Sequence, residues 1–226
     1  MEIFLDTASL KDIEGVLPWG IISGITTNQK IFLAEKGVNF KERVQDILSL
    51  LDGPLSVELT NTNCAFDELI EEAKKYSSWN PKNVVIKVPM YSNGMGLWIV
   101  SKLREEKIKT NMTVLVNTNQ IILAAKAGAT YTSIFFNRAR DAGIDPVNVI
   151  RESKKIIEES GLGTKIIVGS IRKPEDVTEA AAAGAHVITI PHKILVKMVQ
   201  HQKTEETIAE FDRCWVEFKK AEKGSK

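Results

Sequence analysis

Cysteine is scarce in this chain. Cys64 and Cys214 are the two present, far apart and in no C-x-x-C arrangement. That excludes a disulfide-stapled secreted scaffold and fits two reduced thiols in a reducing compartment. Histidine is nearly as rare: His186, His192 and His201 stand at no metal-ligand spacing with cysteines or carboxylates, so no metal site is expected. Neither sign of charge dominates, with 30 Lys and Arg against 29 Asp and Glu and a formal net charge of +1. A nucleic-acid or membrane-surface partner is therefore not expected, and any positive field must be local. No apolar run is long enough to span a bilayer. The opening MEIFLDTASL lacks the basic start and apolar stretch of a signal peptide. A soluble, cytoplasmic chain is expected. The first candidate strand runs into DTASL with no glycine-rich phosphate loop, which argues against a doubly wound open sheet. No linker, low-complexity segment or second domain interrupts residues 1–226.

What is present is an ordinary globular composition, 43% hydrophobic and 26% charged, in 226 residues, enough for one sizeable core. Short β-rich runs alternate with amphipathic stretches throughout. Candidate strands are Glu2–Asp6, Ile21–Thr26, Pro54–Thr60, Asn83–Val88, Lys109–Leu115, Thr130–Phe136, Thr164–Gly169 and His186–Ile190. Helical patterns include Phe66–Tyr76, Gln120–Ala127, Val147–Glu159 and Asp176–Ala183. In the third of these Val147, Ile150, Ile156 and Ile157 share one side. Gly128 and Gly184 stand at plausible helix C-termini. Eight strand–helix units predict a parallel sheet closed into a single (β/α)₈ barrel. An extra helix follows, Thr204–Phe218, entered through an approximate capping box and reaching to about residue 220. The final AEKGSK reads as frayed.

In such a barrel active residues gather at the C-terminal ends of the strands. Polar groups interrupt the apolar runs there: Asp6, Thr26 with Asn28, Glu58 with Thr60, Lys87, Asn111 with Thr113, Ser133 and Ser170. Lys87, within VVIKVP, is the sharpest signal. An ammonium in apolar surroundings loses hydration, which favours a neutral amine able to form a Schiff base with a ketone. It could equally be a snorkelling lysine or a structural ion pair with Glu58 or Asp6. Asp6 could instead cap the first helix and Asn28 the next. Glu58 in the middle of a strand requires a partner. Arg138 and Arg172, each just past a strand, are either solvated or half of an anion site with Ser133, Gly169 and Ser170.

Seven segments match one known pattern in order: FLDTASL, GITTN, SVELT, VVIKVPM, KTNMTVLV, AAKAGATYTSIFFNRARDAG and VGSIRKPEDVTEAAAAGAHVITIPHKIL. Together they resemble the transaldolase family, its small-subunit branch and the related fructose-6-phosphate aldolases. The resemblance implies a class I mechanism with no cofactor. Lys87 matches the Schiff-base lysine and Asp6 the carboxylate that handles the ketose C4-hydroxyl proton. Glu58 matches the acid/base that works through a water which Thr113 helps hold. Asn28 and Asn111 match residues that position the dihydroxyacetone unit. Ser133, Arg138, Ser170 and Arg172 match the pocket for the distal anion. Glu58 and Phe135 are the choices of transaldolases, where the aldolase branch has Gln and Tyr.

The chain departs from the pattern in two places. It reads TTNQK where the family reads TTNPS, and SIFFNR where the family reads SPFVGR, so Gln29, Lys30, Ile134, Phe136 and Asn137 are its own. The substrate implied is a sugar phosphate or, as in sulfofructose transaldolase, a sugar sulfonate. A sulfonate site would gain from an indole donor, and Trp19, Trp79, Trp98 and Trp215 are available. The resemblance also implies a pentamer or decamer, with Phe211, Trp215 and Phe218 of the last helix packed on a neighbour.

Overall fold

A computed structural model describes residues 1–60 and 64–224; Ser225 and Lys226, the end of the stretch expected to fray, lie outside the described residues. Eight parallel strands close into a barrel in chain order: β1 Glu2–Asp6, β2 Ile22–Thr26, β3 Leu55–Glu58, β4 Val84–Pro89, β5 Thr110–Leu115, β6 Tyr131–Phe135, β7 Lys165–Gly169 and β8 Val187–Ile190. β1 pairs with both β2 and β8, so the sheet has no free edge. Eight expected strands are there, most of them trimmed by a residue or two. β3 stops at Glu58, short of Thr60, and Phe136 opens a helix, Phe136–Asp141, rather than ending β6. Among the described residues no helix is long and apolar enough to cross a membrane.

Alternation along the strands sorts inward residues into two layers. Phe4, Val85, Tyr131, Ile167 and Val187 form an apolar plug inside the barrel, with Phe4 and Tyr131 edge to face at 6.2 Å between ring centroids. Gly24 makes room for it, because a Cβ there would lie 2.7 Å from the Phe4 ring. Two residues further along, the inward positions of six strands are polar: Asp6, Thr26, Glu58, Lys87, Ser133 and Thr189. The larger core lies between barrel and helices. Pro146–Glu159 buries Val149, Ile150, Ser153 and Ile157; Val147 and Ile156 are only partly covered, so the buried stripe is rotated from the one expected. Gly128 and Gly184 do end helices, at φ 95° and 96°. The C-terminal helix starts earlier than expected, at Gln202, with His201 Nδ1 accepting from the Lys203 N–H at 3.1 Å, so Thr204 lies inside it.

Candidate functional site

A cavity of about 580 Å³ opens at the C-terminal end of the barrel, lined by Asp6, Thr26, Asn28, Lys87, Ser133, Phe135, Arg138, Ser170, Arg172 and Thr189 among others. Lys87 is 5% exposed. Its Nζ donates to the Thr27 carbonyl at 3.0 Å and lies 3.2 Å from Glu58 Oε2. The ion pair weighed from the sequence is thus present, and it sits at the cavity rather than in sealed core. Glu58 pairs in register with Lys87 across β3 and β4 and lines, instead of this cavity, a second one of about 250 Å³ with Phe32 and Phe40.

Asp6 does not cap the first helix. Ser9 does, accepting from the Asp12 N–H. Asp6 Oδ1 instead accepts from Thr26 Oγ1 at 2.7 Å, and Thr26 Oγ1 lies 2.6 Å from Thr189 Oγ1. Burial raises the Asp6 carboxyl above its ordinary 3.8; the Lys87 charge and the Thr26 hydroxyl act the other way, and the Glu58 charge adds to the rise. Asn28 does cap its helix, Gln29–Ala34, accepting from the Ile31 N–H at 3.0 Å, while also lining the cavity. Asn111 and Thr113 lie just behind the lining, fully buried. Ser133 Oγ donates to Asn111 Oδ1 at 2.7 Å, and Asn111 Nδ2 donates to Ser56 Oγ at 3.2 Å. The Thr113 hydroxyl is buried and finds no partner among the described residues. Tyr91, just past β4, has a similarly orphaned hydroxyl, pushed up by burial and then by the charges of Glu58 and Glu72.

The end of the cavity beside Arg138 and Arg172 is held by its loops. The Arg138 guanidinium sits 5.1 Å over the Phe135 ring. Arg172 is engaged by Asp141 through two nitrogens, one at 2.9 Å, so it is neither free nor simply solvated. Ser170 has φ 61°, a strained position for a residue with a side chain. Buried Asp176 fixes this loop, accepting from the N–H groups of Arg172 (2.9 Å) and Lys173 (3.1 Å) and from Asn137 Nδ2 (2.6 Å). Asn137 Nδ2 also donates to the Ser170 carbonyl at 2.9 Å, which gives that departure in SIFFNR a structural role. None of the four tryptophans lines the cavity; Trp98 stacks on Phe66, and Trp79 packs against Phe40 and Tyr76. Thr60 does not converge on the site either, because its hydroxyl turns to Glu72 and Tyr76 of the helix Phe66–Ser77. Thr189, the Thr27 carbonyl, Lys30 and Lys193 belong to the site without having been singled out for it; HVITIP offered only a polar residue in an apolar run.

Comparison with known proteins identifies the family of the chain. The chain is 41% identical over 215 residues to a probable transaldolase of Roseiflexus sp. (strain RS-1), covering 95% of this chain and 97% of that one. It is 43% identical over 220 residues to a probable transaldolase of Carboxydothermus hydrogenoformans, covering 97% of this chain and all of the other. A solved mandelate oxidase variant with a monooxide FMN adduct shares the barrel at a TM-score of 0.58 and 14% identity, over 84% of this chain and 64% of that one, a likeness of fold alone. Residues 3–224 match the family described as Transaldolase/Fructose-6-phosphate aldolase, and the chain belongs to that family of enzymes.

Proposed function

We propose that the protein is a transaldolase, moving a dihydroxyacetone unit through a Schiff base on Lys87 from a ketose with a terminal phosphate or sulfonate to an aldehyde such as glyceraldehyde 3-phosphate. One observation carries the reading: a buried lysine nitrogen 3.2 Å from a carboxylate, at a cavity that also holds a second carboxylate whose proton is held more tightly than usual. Glu58 is within reach of the proton Nζ must shed before it attacks the ketose C2. The carbinolamine then expels its hydroxyl as water, with Glu58 returning a proton. Asp6 takes the C4-hydroxyl proton as the C3–C4 bond breaks, and the iminium accepts the electron pair. The enamine left on Lys87 adds to the acceptor carbonyl, whose oxygen recovers the proton from Asp6, and hydrolysis frees the new ketose. The buried, unpartnered Thr113 hydroxyl supports a role in holding the water that Glu58 uses. Asn28, Asn111 and Ser133 suit the hydroxyls of the three-carbon unit.

Borohydride added with a ketose donor should fix a three-carbon adduct on Lys87, and Lys87→Ala should abolish it; an adduct that persists in the variant defeats the assignment. Release of dihydroxyacetone without any acceptor would move the protein to the aldolase side of its family. The free Cys64 and Cys214 fit a cytoplasmic setting.

We also read the C-terminal helix as an assembly element. Gln202–Gly224 exposes Ile208, Phe211, Trp215, Val216 and Phe218, each at least half exposed. A polar helix standing off its own barrel gains little stability alone. The occupant we assign to that face is a second copy of the chain, in a ring of five or a pair of such rings.

A further inference from the structure

The cavity holds more positive charge than its chemistry uses. Besides Lys87 it is lined by Lys30, Arg138, Arg172 and Lys193, against a single lining carboxylate, Asp6. The chain as a whole is nearly neutral, so this excess is local. The charges are also arranged by strand. Glu58, Lys87, Asn111 and Thr113 come from β3 to β5, whereas Arg138, Arg172, Lys193 and Lys30 follow β6, β7, β8 and β2. The extra cations thus follow strands other than the one that carries the nucleophile and its two neighbours.

They are not equivalent. Arg172 is already engaged by Asp141, and Arg138 lies over an aromatic ring. Lys30 and Lys193 are exposed and form no ion pair among the described residues. Lys30 is held toward the cavity by its helix, whose start is fixed at the Asn28 cap and by Gln29 Nε2 donating to the Leu59 carbonyl at 2.9 Å. We infer that Lys30 and Lys193 are specificity-determining residues that read the charge of the substrate's terminal oxyanion, favouring a dianionic phosphate ester over a monoanionic sulfonate and either over a neutral ketose. Ammonium groups suit this discrimination, since they are point charges that respond to total charge, while a guanidinium fork responds to shape. The inference rests on the transaldolase reading above.

The test compares three donors that differ in terminal charge: fructose, 6-deoxy-6-sulfofructose and fructose 6-phosphate, the last carrying close to two negative charges at pH 7. Each is assayed with wild type, Lys30→Gln, Lys193→Gln and the double variant. Both lysines are exposed and unpaired, so folding should survive. The expected result is a loss in kcat/KM graded by charge, about tenfold or more for the phosphate in the double variant, smaller for the sulfonate and least for fructose, residing in KM. Equal losses for all three donors, or none for any, overturn the inference. Borohydride trapping of dihydroxyacetone on Lys87 is run beside it. Failure of trapping in the wild type sinks the transaldolase reading, whereas trapping with no charge-graded loss sinks the lysine assignment alone.

Discussion

Burial lifts the Asp6 carboxyl above 3.8, only partly countered by Lys87 and Thr26, and the sign of that shift sets stability against chemistry at this residue. A folded-state value above the unfolded one means the folded chain binds the proton more tightly. The stability this group contributes is complete below the unfolded value and is lost as pH rises through the folded one. At neutral pH an ionised Asp6 therefore weakens the fold. Asp6→Asn keeps an acceptor for Thr26, so its urea midpoint should exceed that of the wild type at pH 7, with the gap closing near pH 3 where both side chains are neutral. Its kcat should fall by about 100-fold or more, since the proposed proton acceptor is gone. A variant less stable at both pH values would refute this account. Asp6, Lys87 and Glu58 were legible because each breaks an apolar strand. Thr189 was not, because its partner Thr26 lies 163 residues away and only barrel closure brings them together. The engagement of Arg172 by Asp141 was hidden for a related reason: it joins the end of the helix Phe136–Asp141 to the loop after β7, an approach no local pattern records.

At the scale of elements, the loop after β7 is positioned from beneath. Burial of Asp176 would by itself raise its carboxyl, yet hydrogen bonds from the Arg172 N–H, Asn137, the Lys173 N–H and Arg140 bring it below its ordinary value. Asn137→Ala removes one of those donors and releases the Ser170 carbonyl, so it should cost about 1–3 kcal/mol of stability. With an anionic donor it should raise KM more than it lowers kcat, read from initial rates alongside a denaturant titration. Unchanged stability would remove Asn137 from this role. Acid should loosen the same loop, because a depressed carboxyl contributes its stability above the unfolded value and gives it up as pH falls through the folded one. The strands were readable from the sequence, since each is an apolar run bounded by turns. Their ends were less so. β3 stops at Glu58 because Thr60 finds a better partner in Glu72, a carboxylate on the helix that follows. In Pro146–Glu159 the buried Ser153 displaced the expected stripe, since periodicity counts apolar residues and overlooks a small hydroxyl that packs.

For the whole molecule, the exposed aromatic face of the C-terminal helix sets the expected mass in solution. Sizing with light scattering should give five or ten copies, and Phe211→Asp combined with Trp215→Asp should shift the protein to smaller species. A monomeric wild type would end that reading. The closure of the barrel carries a consequence of another kind. Thr26 has one hydroxyl proton, and it is spent on Asp6, so the proton between Thr26 and Thr189 must come from Thr189. The polarity of this three-membered wire is thus imposed by the negative charge at its end, and once that end takes up a proton the whole wire is free to turn around. Its far terminus belongs to the last strand and its near terminus to the first, so a chain still lacking its final strand would hold the lysine proposed to bond the sugar but not the hydroxyl that orients Asp6 through Thr26.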